Sequence, residues 1–298
     1  MFNPLIFCAT ALLLTFQAST AAASNFAIDN LVFYGVWLSA GSNTSILRFE
    51  STLIIPSSPP DTSTEDNIQA FWPGLEPADN DSVFQNVVTN QGGEAGEWYL
   101  LPFSCCSPAK ALTPQMRVHP GDSLTNIFAL DVPTGKWYDN YLVTPSRTAV
   151  DREDGIVPYG GGFTFDPIAD AALKHKPLTS TLMTIELQER GKWNFGAVEW
   201  RNILVEADTM ETKWCEEYVF SLSPFLLLVF SILRKMYSYV HPDNIKMIYA
   251  YEIFCSGPVP TGGRGFKRRY SMPTWNTVGS TTTCHIAQMI FEGPDDAE

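Results

Sequence analysis

The sequence predicts an all-β protein, an antiparallel two-sheet β-sandwich. Short segments rich in β-branched and aromatic residues recur along the chain, separated by turn residues. In residues 45–55, Leu47, Phe49 and Leu53 alternate with charged or hydroxyl-bearing residues, which is the period of a half-buried strand. No helical period occurs before residue 210. This combination is typical of an antiparallel sandwich.

The strands can be assigned in order along the chain. We expect them at residues 32–38, 45–55, 83–88, 97–101, 136–143, 182–187, 197–205 and 281–291, with a looser glycine-rich segment at 159–165. Residues 115–118 and 124–130 are expected to form a hairpin around the turn at Pro120-Gly121-Asp122. Pro73-Gly74 predicts another turn, just before the strand that carries Gln85.

The two ends of the chain and one internal segment differ from the rest. Residues 1–23 have an apolar stretch followed by small residues, as in a secretory signal peptide, so we expect a secreted, extracellular protein. Residues 24–217 would form the sandwich, and residues 256–298 a C-terminal strand with a disulfide and an acidic tail. Residues 218–255 form an anomalous apolar insert, interpreted either as a buried helix or as a retained intron translated in frame. Its apolar run is shorter than the roughly 20 residues that span a bilayer, so we expect no stable membrane span.

The charge of the chain limits its partners. The formal net charge is −13, from 19 basic and 32 acidic residues. Phosphate binding needs a basic surface, so this balance argues against nucleic acid as a partner. An excess of carboxylates suits acidic surroundings, where partial protonation reduces their mutual repulsion. Asn43 and Asn80 each begin a glycosylation sequon, which is consistent with secretion.

The cysteine count bears on disulfide bonds. Once Cys8 leaves with the signal peptide, five cysteines remain, an odd number for an oxidising compartment: Cys105, Cys106, Cys215, Cys255 and Cys284. If Cys255 belongs to the insert, four are left for two bridges. A bond between adjacent cysteines strains the intervening peptide. We therefore expect Cys105 and Cys106 to pair separately with Cys215 and Cys284, in an unassigned order.

Neither a metal nor an organic cofactor is indicated. The four histidines are scattered, without the ligand spacing of a metal site. The chain has no nucleophile elbow and no phosphate-binding loop. We therefore expect no metal, no cofactor and a monomeric protein.

Two polar residues stand out, each on a predicted strand. Gln85 is an uncharged amide near the middle of residues 83–88, and Glu199 precedes Trp200 in Ala197-Val198-Glu199-Trp200. The alternative interpretation is that Glu199 is a solvated surface residue that pairs with a side chain on the neighbouring strand. Near them in sequence lie candidate cleft residues that could contact a substrate: Trp72, Glu76, Trp98 and Tyr99.

An ordered set of segments resembles the eqolisins, the fungal glutamic peptidases with a concanavalin A-like, jelly-roll sandwich. The set comprises Trp72-Pro73-Gly74-Leu75-Glu76, Gln85, Glu97-Trp98-Tyr99, Pro120-Gly121-Asp122 and Ala197-Val198-Glu199-Trp200. The resemblance covers about residues 30–206. The family's first segment reads Trp-x-Gly-Ile-Asp, and here Leu75-Glu76 replaces Ile-Asp. In the family Ala directly precedes the catalytic Glu, whereas here Val198 lies between Ala197 and Glu199.

The resemblance implies a secreted acid endopeptidase acting on peptides or proteins. Gln85 and Glu199 would be its catalytic dyad, with Glu206 as an alternative to Glu199. The carboxylate would act as general base towards water, and the amide would donate to the oxyanion. Convergence of Gln85 and Glu199 would favour this function.

Two other functions remain open on the same fold. Exposed aromatic residues beside carboxylates suit a carbohydrate-binding protein or a carbohydrate-active enzyme, with a glycan as partner. Glu76 and Glu199 would be a candidate glycosidase pair if about 5–10 Å apart. The third interpretation is a relative that has lost catalysis.

Overall fold

The computed structural model describes residues 31–61, 67–78, 82–91, 94–105, 110–147, 157–166, 176–216 and 266–294. The expected signal peptide, the insert at 218–255 and the sequon at Asn80 lie outside these residues. Asn43 lies in an exposed turn between the first two strands. No helix among the described residues is long and apolar enough to cross a membrane.

Two antiparallel sheets form the fold, as the sequence predicts. The elements are β1 (Leu31–Ser39), β2 (Ile46–Ile54), β3 (Asn67–Pro77), β4 (Val83–Thr89), β5 (Trp98–Cys105), β6 (Lys110–Ala111), β7 (Met116–Val118), β8 (Ser123–Asp131), β9 (Lys136–Thr144), β10 (Tyr159–Phe165), β11 (Leu178–Glu189), β12 (Val198–Ala207), α1 (Lys213–Glu216), β13 (Phe266–Tyr270), β14 (Thr274–Val278) and β15 (Thr281–Pro294).

Each sheet has its own strand order. Sheet A runs β1-β11-β3-β4-β5-β6, and β7 also pairs with β5. Sheet B runs β10-β9-β8-β2-β12-β15-β13, and β14 also pairs with β15. Several pairings, such as β1 with β11, β11 with β3 and β2 with β12, join strands that are distant in sequence, so the full order could not be read from local pattern.

The hydrophobic core lies between the sheets and is rich in aromatic rings. Phe49 and Phe128 of sheet B stack with their ring centroids 5.9 Å apart, and Phe84 of sheet A meets Phe128 at 5.4 Å. At one end of the core, Trp98 packs against Phe71 at 4.8 Å. The sequence had suggested Trp98 as a cleft residue. Trp98 is instead fully buried in the core, where it supports the fold.

The expected turn at Pro73-Gly74 is wrong, because both residues lie inside β3. Pro73 pairs with Met183 of β11. The recorded pairing between β3 and β4 stops after Phe71 and resumes at Gly74. Proline has no N–H to donate to a ladder, so a gap in pairing accommodates it within a strand.

The expected hairpin around Gly121 is also wrong, although the turn is present. β7 belongs to sheet A and β8 to sheet B, so the turn connects the two sheets. Gly121 has a φ of 86°, a conformation that favours glycine. The carboxylate of Asp122 accepts hydrogen bonds from the backbone N–H of His119 at 3.0 Å and of Ser146 at 2.8 Å. These bonds fix the crossing between the sheets.

The disulfide differs from the expected pairing, because Cys215 bonds to Cys284. This bridge joins α1 to β15, and both sulfur-bearing residues are buried. Cys105 and Cys106 therefore cannot take these partners in this fold. Cys106 and the side chain of Cys105 lie outside the described residues.

Candidate functional site

The candidate site lies on the face of sheet A that points away from the core, called here the outer face. Strand alternation puts Phe71, Phe84 and Ile185 into the core. The intervening residues of these strands face outwards. They are Ala70, Trp72, Gly74 and Glu76 of β3, Leu182, Thr184 and Glu186 of β11, Val83, Gln85 and Val87 of β4, and Gly35 and Trp37 of β1.

Two tryptophan rings on the outer face lie close to glycines, which leave room for them. A Cβ atom on Gly74 would lie 3.3 Å from Cε3 of Trp72 and 3.0 Å from a methyl carbon of Val83. A Cβ atom on Gly35 would lie 2.9 Å from the ring of Trp37. The absence of side chains at Gly35 and Gly74 thus leaves space for the rings of Trp37 and Trp72, called here the aromatic floor.

Gln85 lies beside this floor, directly across from Gly74. Its side chain is buried, and its Oε1 has no hydrogen-bond partner among the described residues. A buried amide oxygen without a partner costs free energy and is a feature that calls for an explanation. On the other side of Gln85, the half-buried Phe103 of β5 is its cross-strand partner.

Glu76 is the carboxyl group that the register brings close to Gln85. Glu76 lies two residues beyond Gly74 on β3, so it is a diagonal neighbour of Gln85, with Cα atoms roughly 7–8 Å apart. The residue is 4% exposed. Burial raises the pKa of Glu76 to about 8, and the indole N–H of Trp37 opposes this shift only in part. The group is therefore protonated in acid and at neutral pH.

Glu186 is a buried acid that the sequence reasoning missed. Trp72 Nε1 donates to Glu186 Oε2 at 2.9 Å, and Gln188 Nε2 donates to Glu186 Oε1. Burial raises the pKa of Glu186, and these two donors oppose the shift. The sequence feature that could have identified Glu186 is a glutamate within the largely apolar residues 182–187, which had been assigned to a strand.

Glu186 is not a close partner of Gln85. Gln85 is level with Gly74, whereas Glu186 is level with Ala70, and β3 lies between their two strands. Four residues along the sheet and two strands across it separate their Cα atoms by about 16 Å. The residue of β11 level with Gln85 is Leu182, which is fully buried.

The structure does not bring Gln85 and Glu199 together. Val198 and Trp200 point into the core, so Glu199 faces away from it on sheet B, with the whole core between it and Gln85. Arg201 pairs with Glu199 at 2.6 Å. The hydrogen bond from Arg201 is the main reason that the pKa of Glu199 lies below its usual value. Burial opposes this shift, and the hydrogen bond from Gln288 adds to it.

The expected pairings that involve Glu199 therefore lack geometric support. Glu206 alternates with the buried Val205 and Ala207, so it also lies on the far face of sheet B. Glu76 and Glu199 lie on different sheets, which does not suit a glycosidase pair. Strand patterning identified each residue as polar within a strand, but it did not indicate which sheet contained the strand.

Of the expected cleft residues, Trp72 and Glu76 lie on the outer face with Gln85, and Tyr99 lies at its margin. The Tyr99 hydroxyl donates to the Glu97 carboxylate and accepts from the Glu94 backbone N–H at 2.8 Å. Burial is the main cause of the raised pKa of Tyr99, and its bond to Glu97 adds to it. Tyr99 is thereby fixed by the residues that directly precede its own strand.

No group of three or more His, Cys, Asp or Glu residues suited to hold a metal ion occurs in the described part of the chain. The acids of the outer face, Glu76 and Glu186, are widely spaced, and Glu186 accepts hydrogen bonds from an indole and an amide donor. The chemistry available at this face is therefore proton transfer by buried carboxyl groups and hydrogen bonding by a neutral amide.

Comparison with known proteins shows remote likenesses to solved structures. No family model and no curated protein matches the chain. Among solved structures, scytalido-glutamic peptidase with a peptide-based transition-state analog is 10% identical, with a TM-score of 0.43, over 86% of this chain and 98% of that one. SCP-B, a member of the eqolisin family in complex with the tripeptide Ala-Ile-His, is also 10% identical, with a TM-score of 0.39 over the same shares. The enzymatically active domain of bacteriophage CBA120 tailspike protein 2 is 11% identical, with a TM-score of 0.28, over 62% of this chain and 25% of that one. The assignment of a two-sheet sandwich rests on the strand pairing of this chain itself.

Proposed function

We propose that the protein is a secreted peptide hydrolase of the glutamic type, with Gln85 and Glu76 as its catalytic pair. The observation that carries the proposal is their position as diagonal neighbours on one buried face. A strongly perturbed carboxyl beside an unsatisfied amide is a frequent mark of a functional site. The resemblance of the Trp72 and Gln85 segments to glutamic peptidases supports the same reaction class.

Glu76 would enter the reaction in its protonated form. It donates its proton to the carbonyl oxygen of the peptide as water adds to the carbonyl carbon, and then takes a proton from the added water. The same carboxyl next protonates the leaving nitrogen, and the C–N bond breaks. Loss of a proton from the resulting dihydroxy cation leaves a carboxylic acid and restores protonated Glu76.

Gln85 would stabilise the intermediate without adding charge. Its side-chain NH₂ can donate a second hydrogen bond to the carbonyl oxygen that receives the proton of Glu76, and so polarise the carbonyl group for attack by water. The half-buried Val87, Leu101 and Phe103 lie on the same face and would contact apolar substrate side chains. The ring of Trp72 over Gly74 would form the floor beneath the peptide.

Digestion of an unfolded protein substrate at about pH 4 tests this proposal with three variants. Glu76→Gln keeps the shape of the side chain and is expected to lower kcat/KM by about 10²–10⁴-fold. Gln85→Leu removes the amide donor and is expected to cost about 10²–10³-fold. Glu199→Gln, on the other sheet, is the matched control and should stay close to wild type.

The pH profile provides a second criterion. Activity that depends on protonated Glu76 should fall as the pH passes about 8. Loss of activity in Glu199→Gln with full activity in Glu76→Gln would overturn the assignment of the pair.

One observation favours a second candidate, a peptide-binding relative without hydrolytic activity. Leu182 occupies the place on β11 that is level with Gln85, and a carboxylate there would have faced the amide across Gly74. Peptide binding by a folded wild-type chain that leaves the substrate intact would establish this candidate. Binding of glycans with no binding of peptides would support the carbohydrate alternative instead.

A further inference from the structure

A second polar cluster lies inside the core, on the opposite side of β4 from Gln85. Asn86 of sheet A reaches across to sheet B and donates from Nδ2 to Asp139 Oδ1 at 2.8 Å and to Asn126 Oδ1 at 3.0 Å. All three side chains are fully buried. The cluster therefore connects β4 with β8 and β9 through the middle of the sandwich.

Two oxygens of this cluster have no hydrogen-bond partner among the described residues. They are Asn86 Oδ1 and Asp139 Oδ2, the second oxygens of the two groups that already share a hydrogen bond. An ionised carboxylate at this position would be a buried charge without a cation. A proton on Asp139 Oδ2 would turn the carboxyl into a donor and provide the partner that Asn86 Oδ1 lacks.

Among the described residues, no cation near Asp139 compensates for a negative charge. Its cross-strand neighbours are Phe128 on β8 and Phe163 on β10. Tyr141 on β9 is the titratable side chain that interacts with it among the described residues, and the charge on Asp139 helps to raise the pKa of Tyr141. Burial raises the pKa of Asp139 to about 7, and the bond from Asn86 opposes the shift.

We propose that protonated Asp139 and Asn86 form a doubly hydrogen-bonded acid–amide clamp that holds the two sheets together in acid and opens when Asp139 loses its proton. The clamp acts on β4, the strand that also carries Gln85. The proposal concerns the cohesion of the sandwich and does not depend on any catalytic activity.

The sign of the effect follows from the direction of the shift. A group whose pKa is raised on folding contributes stability that is complete below its unfolded pKa and is lost as the pH rises through its folded pKa. For Asp139 the loss therefore runs from about pH 4 to beyond pH 7. Other buried acids also make the stability depend on pH. The contribution of Asp139 is therefore measured as the difference in stability between wild type and a variant that lacks this carboxyl group.

Urea denaturation of wild type and Asp139→Asn at pH 4 and pH 8 isolates this contribution. Asparagine can donate and accept as the protonated acid does, but it cannot ionise. The urea midpoint of Asp139→Asn should match wild type at pH 4 and exceed it at pH 8. Asp131→Asn, at a half-buried position at the end of β8, keeps the oxygen that accepts the hydrogen bond from Thr134. It is the control and should follow wild type at both pH values.

A direct titration keeps the proposal testable if Asp139→Asn does not fold. The carboxyl carbon resonance of Asp139 in the wild-type protein should titrate near pH 7. A midpoint near pH 4, the ordinary value for aspartate, would overturn the proposal. It would also be overturned if Asp139→Asn lowered the urea midpoint equally at both pH values.

Discussion

Trp72 donates its indole N–H to the carboxyl group of Glu186 at 2.9 Å across the buried outer face of sheet A. The donor lies on β3 and the acceptor on β11, 114 residues apart in the chain. This bond fixes the orientation of the ring that forms the floor beside Gln85. The position of the floor therefore depends on a residue that no local sequence pattern connects to Trp72.

Replacement of Trp72 by phenylalanine tests this relationship. Trp72→Phe keeps an aromatic ring but leaves one oxygen of a buried acid without its donor, so we expect a loss of about 1–3 kcal/mol in the free energy of unfolding. Urea denaturation at fixed pH measures it. Trp275→Phe, at an exposed position of β14, should change stability by less than about 0.5 kcal/mol. Equal losses in the two variants would contradict a specific role for the bond to Glu186.

The raised pKa of Glu76 predicts a pH-dependent stability of definite sign. Its contribution is complete below about pH 4.5 and is lost as the pH rises through about 8. Glu76→Gln cannot ionise, so its stability should decline less than that of wild type between pH 5 and pH 9. Urea midpoints across this range measure the difference.

Glu199→Gln is the control for this series because the pKa of Glu199 is shifted in the opposite direction. A group whose pKa is lowered on folding contributes stability above its unfolded pKa and loses that contribution as the pH falls. The stability of Glu199→Gln relative to wild type should therefore change in the acidic part of the pH–stability curve. Parallel curves for wild type and Glu76→Gln between pH 5 and pH 9 would show that burial does not shift the pKa of Glu76.

The bond between Cys215 and Cys284 predicts both a peptide map and a stability change. Digestion without reduction should yield a fragment that joins these two cysteines. Their sequence separation of 69 corresponds to roughly 4 kcal/mol of loop-closure stabilisation, which Cys215→Ala/Cys284→Ala should lose. A fragment that joins Cys105 or Cys106 to either residue would contradict this pairing.

Local pattern was sufficient for most strands of the sandwich. The alternation in residues 45–55 predicted β2, and Leu47, Phe49 and Leu53 fall within it. The run that contains Gln85 predicted β4. Such predictions succeed because each strand repeats its own inward and outward positions every two residues.

Local pattern failed where a residue acts through a distant partner. Pro73-Gly74 reads as a turn, but β11 on one side and β4 on the other extend the strand through it. Glu199 and Gln85 both occur as isolated polar residues in apolar strands, yet they face away from each other on different sheets. The bonds of Glu186 to Trp72 and Gln188 likewise had no sequence signal beyond one acid in an apolar run.

The sequence by itself determined that this chain forms an antiparallel sandwich and that Gln85 is a polar residue on one of its strands. Tertiary structure alone decided which carboxyl group lies near that amide, which cysteines bond, and which acids are buried. The physical reason is that side-chain direction within a strand is a local property with a period of two residues. Strand order, register and burial depend on pairing between segments far apart in the chain.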